Sequence, residues 1–295
     1  MNGLQRPRQL LSVLAWNAAI TFLLLLTIEI YLRYRVPSVY VRTSPGRHAT
    51  KVAIWVEPDP ELGWTVTRRP EWGILERVPY RINRQGFRHG EDFDSMPRKT
   101  SERHRVLVLG DSFTFGVHLQ DNETLPAFLG QRLGPKWEVI NLGVPGYGID
   151  QMVLSYEKHH DSLQPDTVVL VFIDEDIDRV FEAFRTLDGL AKPSFDLEGG
   201  ELVARKASER TILDSLLHRS RIANVIYSRW YRPRESMRIA DAFLRRLAAL
   251  VSSHREKLVV VRYPRLEQLD GQAVYPPLPF HQNPCLARCY LCGAI

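Results

Sequence analysis

The chain has 295 residues, 44% of them hydrophobic and 25% charged, an ordinary globular balance with room for one large α/β domain plus extras. Its net charge of +5 is spread over scattered arginines with no basic stripe of interleaved aromatics, so nucleic acid is not an expected partner. All three cysteines (Cys285, Cys289, Cys292) lie in the last eleven residues at a spacing unlike a zinc pair-of-pairs, so no disulfide framework, metal site or cofactor is expected.

Arg6 and Arg8 precede an apolar segment from Leu10 to about Leu32, with Trp16 and Tyr31 near its ends. Its length suits a bilayer crossing, which needs about 20 residues. Asn17 and Glu29 are polar interruptions, and Glu29 is close enough to the far end to reach the interface. The exit, IEIYLRYRV, offers no small-x-small cleavage site. Residues 1–35 therefore read as an uncleaved anchor of a single-pass membrane protein; a buried core helix would show more of a polar face. Arg33, Arg35 and Arg42 balance Arg6 and Arg8, so charge does not set the orientation.

Residues 36–60 read as a stalk, with Pro37, Pro45, Pro58 and Pro60 and little periodic pattern. Residues 61–103 read as a small β-rich lead-in. There Trp64–Val66 and Val78–Ile82 alternate and are expected to pair, Asn83–Gly86 reads as a turn, and Glu91–His104 as a polar linker.

The main domain spans 104–272. Val106–Leu109 is a continuous apolar run, as in a strand buried on both faces. A helix is expected over Thr124–Leu133, capped by Asp121 or Asn122, with Glu123 near its positive end. Trp137–Asn141 is the second strand, followed by the glycine-rich turn LGVPGYG and a helix over Asp150–Leu163. Thr167–Ile173 is the third strand and ends in Asp174, Glu175, Asp176 and Asp178. Strands alternating with helices imply a parallel, doubly wound sheet. Residues 179–255 read as an insertion over one end of that sheet: a hairpin about Gly199-Gly200, then helices near Thr211–Tyr231 and Glu235–His254. Lys257–Tyr263 is the fourth strand, and residues 273–295 form an atypical tail.

A doubly wound sheet brings neighbouring carboxyl ends to one crevice, where ligands bind. The first three strands finish there in GDS, NLGVPGYG and DEDID. Ser112, on the turn after the first strand, is placed as a nucleophile would be. Its N–H and that of Gly146 are candidate oxyanion donors. The plain alternative is a strand-to-helix turn in which Asp111 or Ser112 caps the helix, beside a glycine-rich link and a solvated acidic loop.

Together, GDSFTFG, NLGVPGYG and a strand ending in acids resemble the SGNH (GDSL-type) hydrolase superfamily. The likeness is to bacterial membrane-anchored members that carry a preceding DPELGW and INRQGFR, here Asp59–Trp64 and Ile82–Arg88. It covers roughly residues 59–270. The resemblance implies a flavodoxin-like three-layer α/β/α fold and a metal-free serine esterase, lipase or deacetylase. In that family Ser112 matches the nucleophile and Gly146 the glycine of the oxyanion hole. There is no GxSxG, so the α/β-hydrolase elbow is the wrong template.

Two departures stand out. Glu175 aligns with the family's oxyanion Asn, with Asp176 as its following Asp; a one-residue shift would put Asp174 there. An ionised carboxylate cannot donate, and losing one such donor costs about 2.7–4 kcal/mol of barrier; a protonated acid could donate instead. The family's Asp-x-x-His base is also absent after Pro264. His281 lacks the upstream Asp, His118 reads as a surface-loop residue, and His159 and His160 as solvated helix positions. The expectation is a chain that lacks its last strand, base and closing helix, through truncation or frame-shift after about Ala273. The functional expectation is a membrane-anchored serine hydrolase of ester bonds, with its domain periplasmic or otherwise extracytoplasmic, and O-acylated envelope polysaccharide as substrate. The alternative is a non-catalytic carbohydrate-binding or scaffold protein on the same fold. A phosphate-cradling nucleotide loop is disfavoured by the lack of Gly-Lys-Ser/Thr and GxGxxG.

Overall fold

The computed structural model describes residues 5–35, 56–67, 73–75, 78–89, 102–183, 185, 190–205 and 220–263. In chain order the elements begin with α1 (Gln5–Arg35), β1 (Val56–Asp59), β2 (Gly63–Val66), β3 (Gly73–Leu75) and β4 (Val78–Tyr80). Then come β5 (His104–Gly110), α2 (Ser112–Phe115), α3 (Leu125–Leu133), β6 (Trp137–Gly143), α4 (Ile149–Leu163), β7 (Thr167–Phe172) and α5 (Asp174–Arg179). The hairpin β8 (Ser194–Glu198) and β9 (Glu201–Arg205) follows, then α6 (Arg221–Ile226), a π-turn (Tyr227–Tyr231), α7 (Arg232–Ser253) and β10 (Lys257–Arg262). The chain divides into two compact units: Met1–Val41 with Ser208–Pro233, and Arg42–Ala207 with Arg234–Ile295.

In the first unit, α1 holds the 25-residue stretch Leu11–Arg35, whose most apolar 18-residue window has a mean hydropathy of 2.1 and is unburied. It is long and apolar enough to cross a membrane.

The second unit is built on a parallel sheet of order β10-β7-β5-β6. Counting core strands alone, that is 4-3-1-2, the flavodoxin-like order as far as its fourth strand. The β-branched runs of β5, β7 and β10 put side chains on both faces. On one face Leu107, Leu109, Val168, Leu170 and Val260 pack under α4 and α7. On the other, Val106, Val108, Val169 and Val171 pack with Leu125 and Leu129 of α3. Helices on both faces of a parallel sheet make three layers. The expected loss of the last strand, base and closing helix concerns residues 264–295, which lie outside the described residues, as do His281 and the cysteines.

Several expectations are corrected. Trp64–Val66 does not pair with Val78–Tyr80: β2 pairs with β1, and β4 with β3, each as a local antiparallel hairpin. Val56–Asp59, inside the stretch read as stalk, is thus a strand. Asp121 and Asn122 do not cap α3; they form a separate 3₁₀ turn with Glu123, and Thr124 Oγ1 accepts from the Ala127 N–H at 3.3 Å. The second helix of the expected insertion is a core element. Ile239, Ala240, Phe243, Leu244, Leu247 and Val251 form one buried stripe of α7, the crossover into β10. His159 and His160 are half-buried and engaged: His159 packs edge-on to Phe87 at 4.8 Å, and His160 lies between Asp161 and Glu256 at 2.8 Å each.

The lead-in braces the loops of the sheet. Arg88, 6% exposed, donates to the carbonyls of Phe115 (3.0 Å), Gly116 (2.6 Å) and Leu119 (2.6 Å) and pairs with Asp121 (2.9 Å). Its guanidinium lies over Tyr80 and Phe115. Asp59 accepts from the Glu61 and Leu62 N–H groups at 2.9 Å and from Lys158 at 2.6 Å. Burial disfavours its charge, but Lys158 and the two amides outweigh this and hold its pKa below the usual value. Arg88→Ala removes its three bonds to carbonyls and the pair with Asp121, and should cost about 2–4 kcal/mol of stability in chemical denaturation; an unchanged midpoint would contradict the brace.

Candidate active site

β5 ends at Gly110, and Asp111 caps α2 through its side chain, Oδ1 accepting from the Phe113 N–H at 2.9 Å. Ser112 is the first residue of α2 and is half-buried. Its hydroxyl donates to Asp111 Oδ2 at 3.3 Å. Asp111 is thus the cap, and Ser112 stands at the carboxyl end of the sheet.

α2 sits against the strand ends only because glycines face it. A Cβ on Gly110 would fall 2.0 Å from Thr114 Oγ1, and one on Gly143 would fall 2.3 Å from the Phe115 nitrogen. Asn141 finishes the fit: its Nδ2 donates to the Thr114 carbonyl at 3.0 Å, and its Oδ1 accepts from the Gly143 N–H at 2.9 Å.

The neighbouring turns flank this one. β6 lies beside β5 with Gly143 opposite Gly110, and the Val144 N–H donates to the Gly110 carbonyl at 3.1 Å. Gly146 follows at φ +87°, a conformation that favours glycine. It lies against Arg185, whose Nε would be 3.3 Å from an added Cβ, and against Trp64. Trp64 Nε1 donates to the Pro145 carbonyl at 3.2 Å, Tyr147 donates its hydroxyl to the Trp64 carbonyl at 2.6 Å, and Gln151 donates to the Leu62 carbonyl at 2.7 Å. β7 lies on the other side of β5 and runs into α5, where Glu175 is the second residue and half-buried.

The acidic run is not a solvated loop. Asp176 is fully buried and its Oδ2 accepts from the Ile173 N–H at 2.9 Å, closing the start of α5. Arg179 Nη1 bonds Asp176 Oδ1, Asp111 Oδ2 (3.2 Å) and the Tyr147 carbonyl (3.2 Å). One guanidinium nitrogen thus touches all three strand-end turns. Burial, and then the neighbouring Asp111 carboxylate, push the Asp176 pKa well above the usual range against the pull of Arg179. Arg179 was not singled out from sequence; its position three residues after Asp176 was the available signal.

Below Ser112 opens a groove of about 1100 Å³, lined by the sheet face at Val171 and Val261 and by Phe128 and Leu129 of α3. His118, exposed and at φ +70°, lines it too, as does Tyr263, the last described residue. At the opposite end of the sheet, ligand atoms of His160, His254 and Glu256 lie within 4.8 Å of one another. The two rings are stacked at 3.7 Å and 17°, so their lone pairs do not converge on one ion as zinc coordination at about 2.0–2.1 Å requires. Tyr156 and Glu256 tie them into a hydrogen-bond network.

No family model matches the chain, and no curated protein matches it. Among solved structures the chain is similar to a Bacteroides fragilis protein predicted to be an acylhydrolase: 14% identity, TM-score 0.29, covering 57% of this chain and 52% of that one. It is also similar to AlinE4, an SGNH-hydrolase family esterase (15%, 0.27, 55% and 77%). A third is a GDSL-like lipase from Bacteroides thetaiotaomicron (13%, 0.25, 57% and 73%). The chain spans about half the length of the first of these.

The raised Asp176 pKa makes a signed prediction. Between the ordinary carboxylate range and the raised value the folded protein holds a proton the unfolded chain has lost, so Asp176 subtracts stability as pH rises through that window. Asp176→Asn keeps an acceptor and removes the titration. Denaturation at pH 5 and pH 7.5 should show the variant gaining on wild type at the higher pH; a pH-independent difference would contradict the assignment.

Proposed function

We propose that the chain is a membrane-anchored serine hydrolase of the SGNH type, acting on ester bonds through Ser112. The observation that supports this reading best is the placement of Ser112: first residue of a helix at the carboxyl end of the central strand, flanked by two motif turns tied to it by Arg179. In this reading Ser112 Oγ attacks the ester carbonyl and the alcohol departs with the proton. An acyl-enzyme remains, which water opens to release the acid and restore the hydroxyl. The N–H groups of Ser112 and Gly146 are the proposed oxyanion donors. Glu175, where the family pattern has Asn, would be the weak point of that hole. With α1 as a single-pass anchor and the domain on the periplasmic side, O-acyl groups on envelope polysaccharide are the proposed substrate.

A second reading, a carbohydrate-binding or scaffold protein on the same fold, is favoured by the partner of Ser112. Its hydroxyl donates to a carboxylate already engaged by Arg179 rather than to a base.

A fluorophosphonate probe separates the two. Labelling of wild type that Ser112→Ala abolishes supports the hydrolase; absence of labelling in folded protein supports the binder. In the hydrolase, Glu175→Asn restores a neutral donor and should raise the labelling rate by up to about 10²-fold, measured as a time course. An unchanged or lower rate would remove position 175 from the oxyanion hole.

A further inference from the structure

Glu29 is the acid inside the apolar stretch of α1, yet its side chain is only 16% exposed. Its Oε1 accepts from the Arg221 N–H (2.7 Å) and Arg33 Nε (2.8 Å); its Oε2 accepts from the Ile222 N–H (2.9 Å) and the Ser220 hydroxyl (3.2 Å). Ser220 Oγ in turn caps α6 by accepting from the Ala223 N–H at 3.2 Å. A carboxylate on an apolar helix is costly unless paired. Here the pairing is with the first backbone amides of another helix, which have no intrahelical acceptor. The expectation that Glu29 simply reaches interfacial water is replaced by a latch between α1 and α6.

The latch fixes a depth. Glu29 lies 18 residues beyond Leu11, about 27 Å along a helix rising 1.5 Å per residue, against a hydrocarbon core about 30 Å thick. α6 is therefore held where a crossing helix leaves the hydrocarbon. From there the chain presents Ile226 (56% exposed), Trp230 (62%) and Tyr231 (50%), spaced to share one face. Tyr227, stacked on Tyr231 at 5.3 Å, and Asn224 are buried. Residues 220–233 carry Arg221, Arg229 and Arg232 and no acidic residue. Tryptophan and tyrosine favour the headgroup level, and arginine adds attraction to anionic lipid there.

We propose that Arg221–Tyr231 is a membrane-surface segment, latched to the span by Glu29 and seating Ile226, Trp230 and Tyr231 in the interface of an anionic bilayer. The inference rests on the reading of α1 as membrane-spanning.

The test uses the full chain with its three cysteines changed to serine, in nanodiscs of phosphatidylcholine and phosphatidylglycerol. An NBD dye is attached at Ile226→Cys or, separately, at Leu23→Cys in mid-span. At position 226 the dye should be quenched by lipids with a nitroxide on the upper acyl chain and shielded several-fold from aqueous iodide. Glu29→Ala should reverse both effects; Trp230→Ala with Tyr231→Ala, which leaves the latch intact, should weaken the lipid quenching. Free access of iodide to position 226, or shielding from iodide and lipid alike as under a partner protein, overturns the proposal. So does a dye at 226 that stays in lipid without Glu29, since the latch then does nothing. Failure of deep-nitroxide quenching at position 23 would instead overturn the span reading.

Discussion

One guanidinium nitrogen holds the candidate site together. Arg179 Nη1 reaches a carboxylate at the end of β5, a carbonyl in the turn after β6, and a buried carboxylate in α5 beyond β7. Parallel strands bring their carboxyl ends to one edge, but nothing in strand pairing fixes the loops beyond them. A cation shared by two acids and a carbonyl does so, because removing it would leave two buried carboxylates facing each other. Burial first, and then the Asp111 carboxylate on the same cation, raise the Asp176 pKa against the pull of Arg179.

The lead-in segment secures these loops from outside. Arg88 holds the carbonyls that follow α2, while Trp64, Leu62 and Asp59 hold the turn after β6 and helix α4. The stretches DPELGW and INRQGFR are therefore parts of the site's support, although they lie before the first core strand. Gly110 and Gly143 complete the arrangement by letting α2 approach the strands as no side chain would allow. The result is a hydroxyl on a short, rigid helix, which suits either chemistry or fixed recognition.

Much of the fold was legible because its strands are apolar runs of unambiguous length, such as VLVL and TVVLVF, separated by helices. Pairing in the lead-in was not, since alternation identifies a strand without naming its partner; β1 and β3 were too short and proline-flanked to register. α7 reads as part of an insertion because the hairpin before it breaks the strand–helix rhythm, while its buried stripe is visible once its register is known. At the site, Ser112 and Gly146 could be placed by motif and topology. Arg179 could not: an arginine ending an acidic run reads as a surface ion pair, and its long-range partners, Asp111 and Tyr147, meet it only in the folded chain. Glu29 is similar, a single acid in an apolar helix whose partners lie about 190 residues away.

The central claim is that Arg179 couples the strand-end turns mechanically. Amide hydrogen exchange on wild type and Arg179→Leu tests it most directly. The account predicts that residues 111–116 and 143–149 lose protection together in the variant while β10 keeps its own. Loss confined to one turn, or none in either, would contradict it.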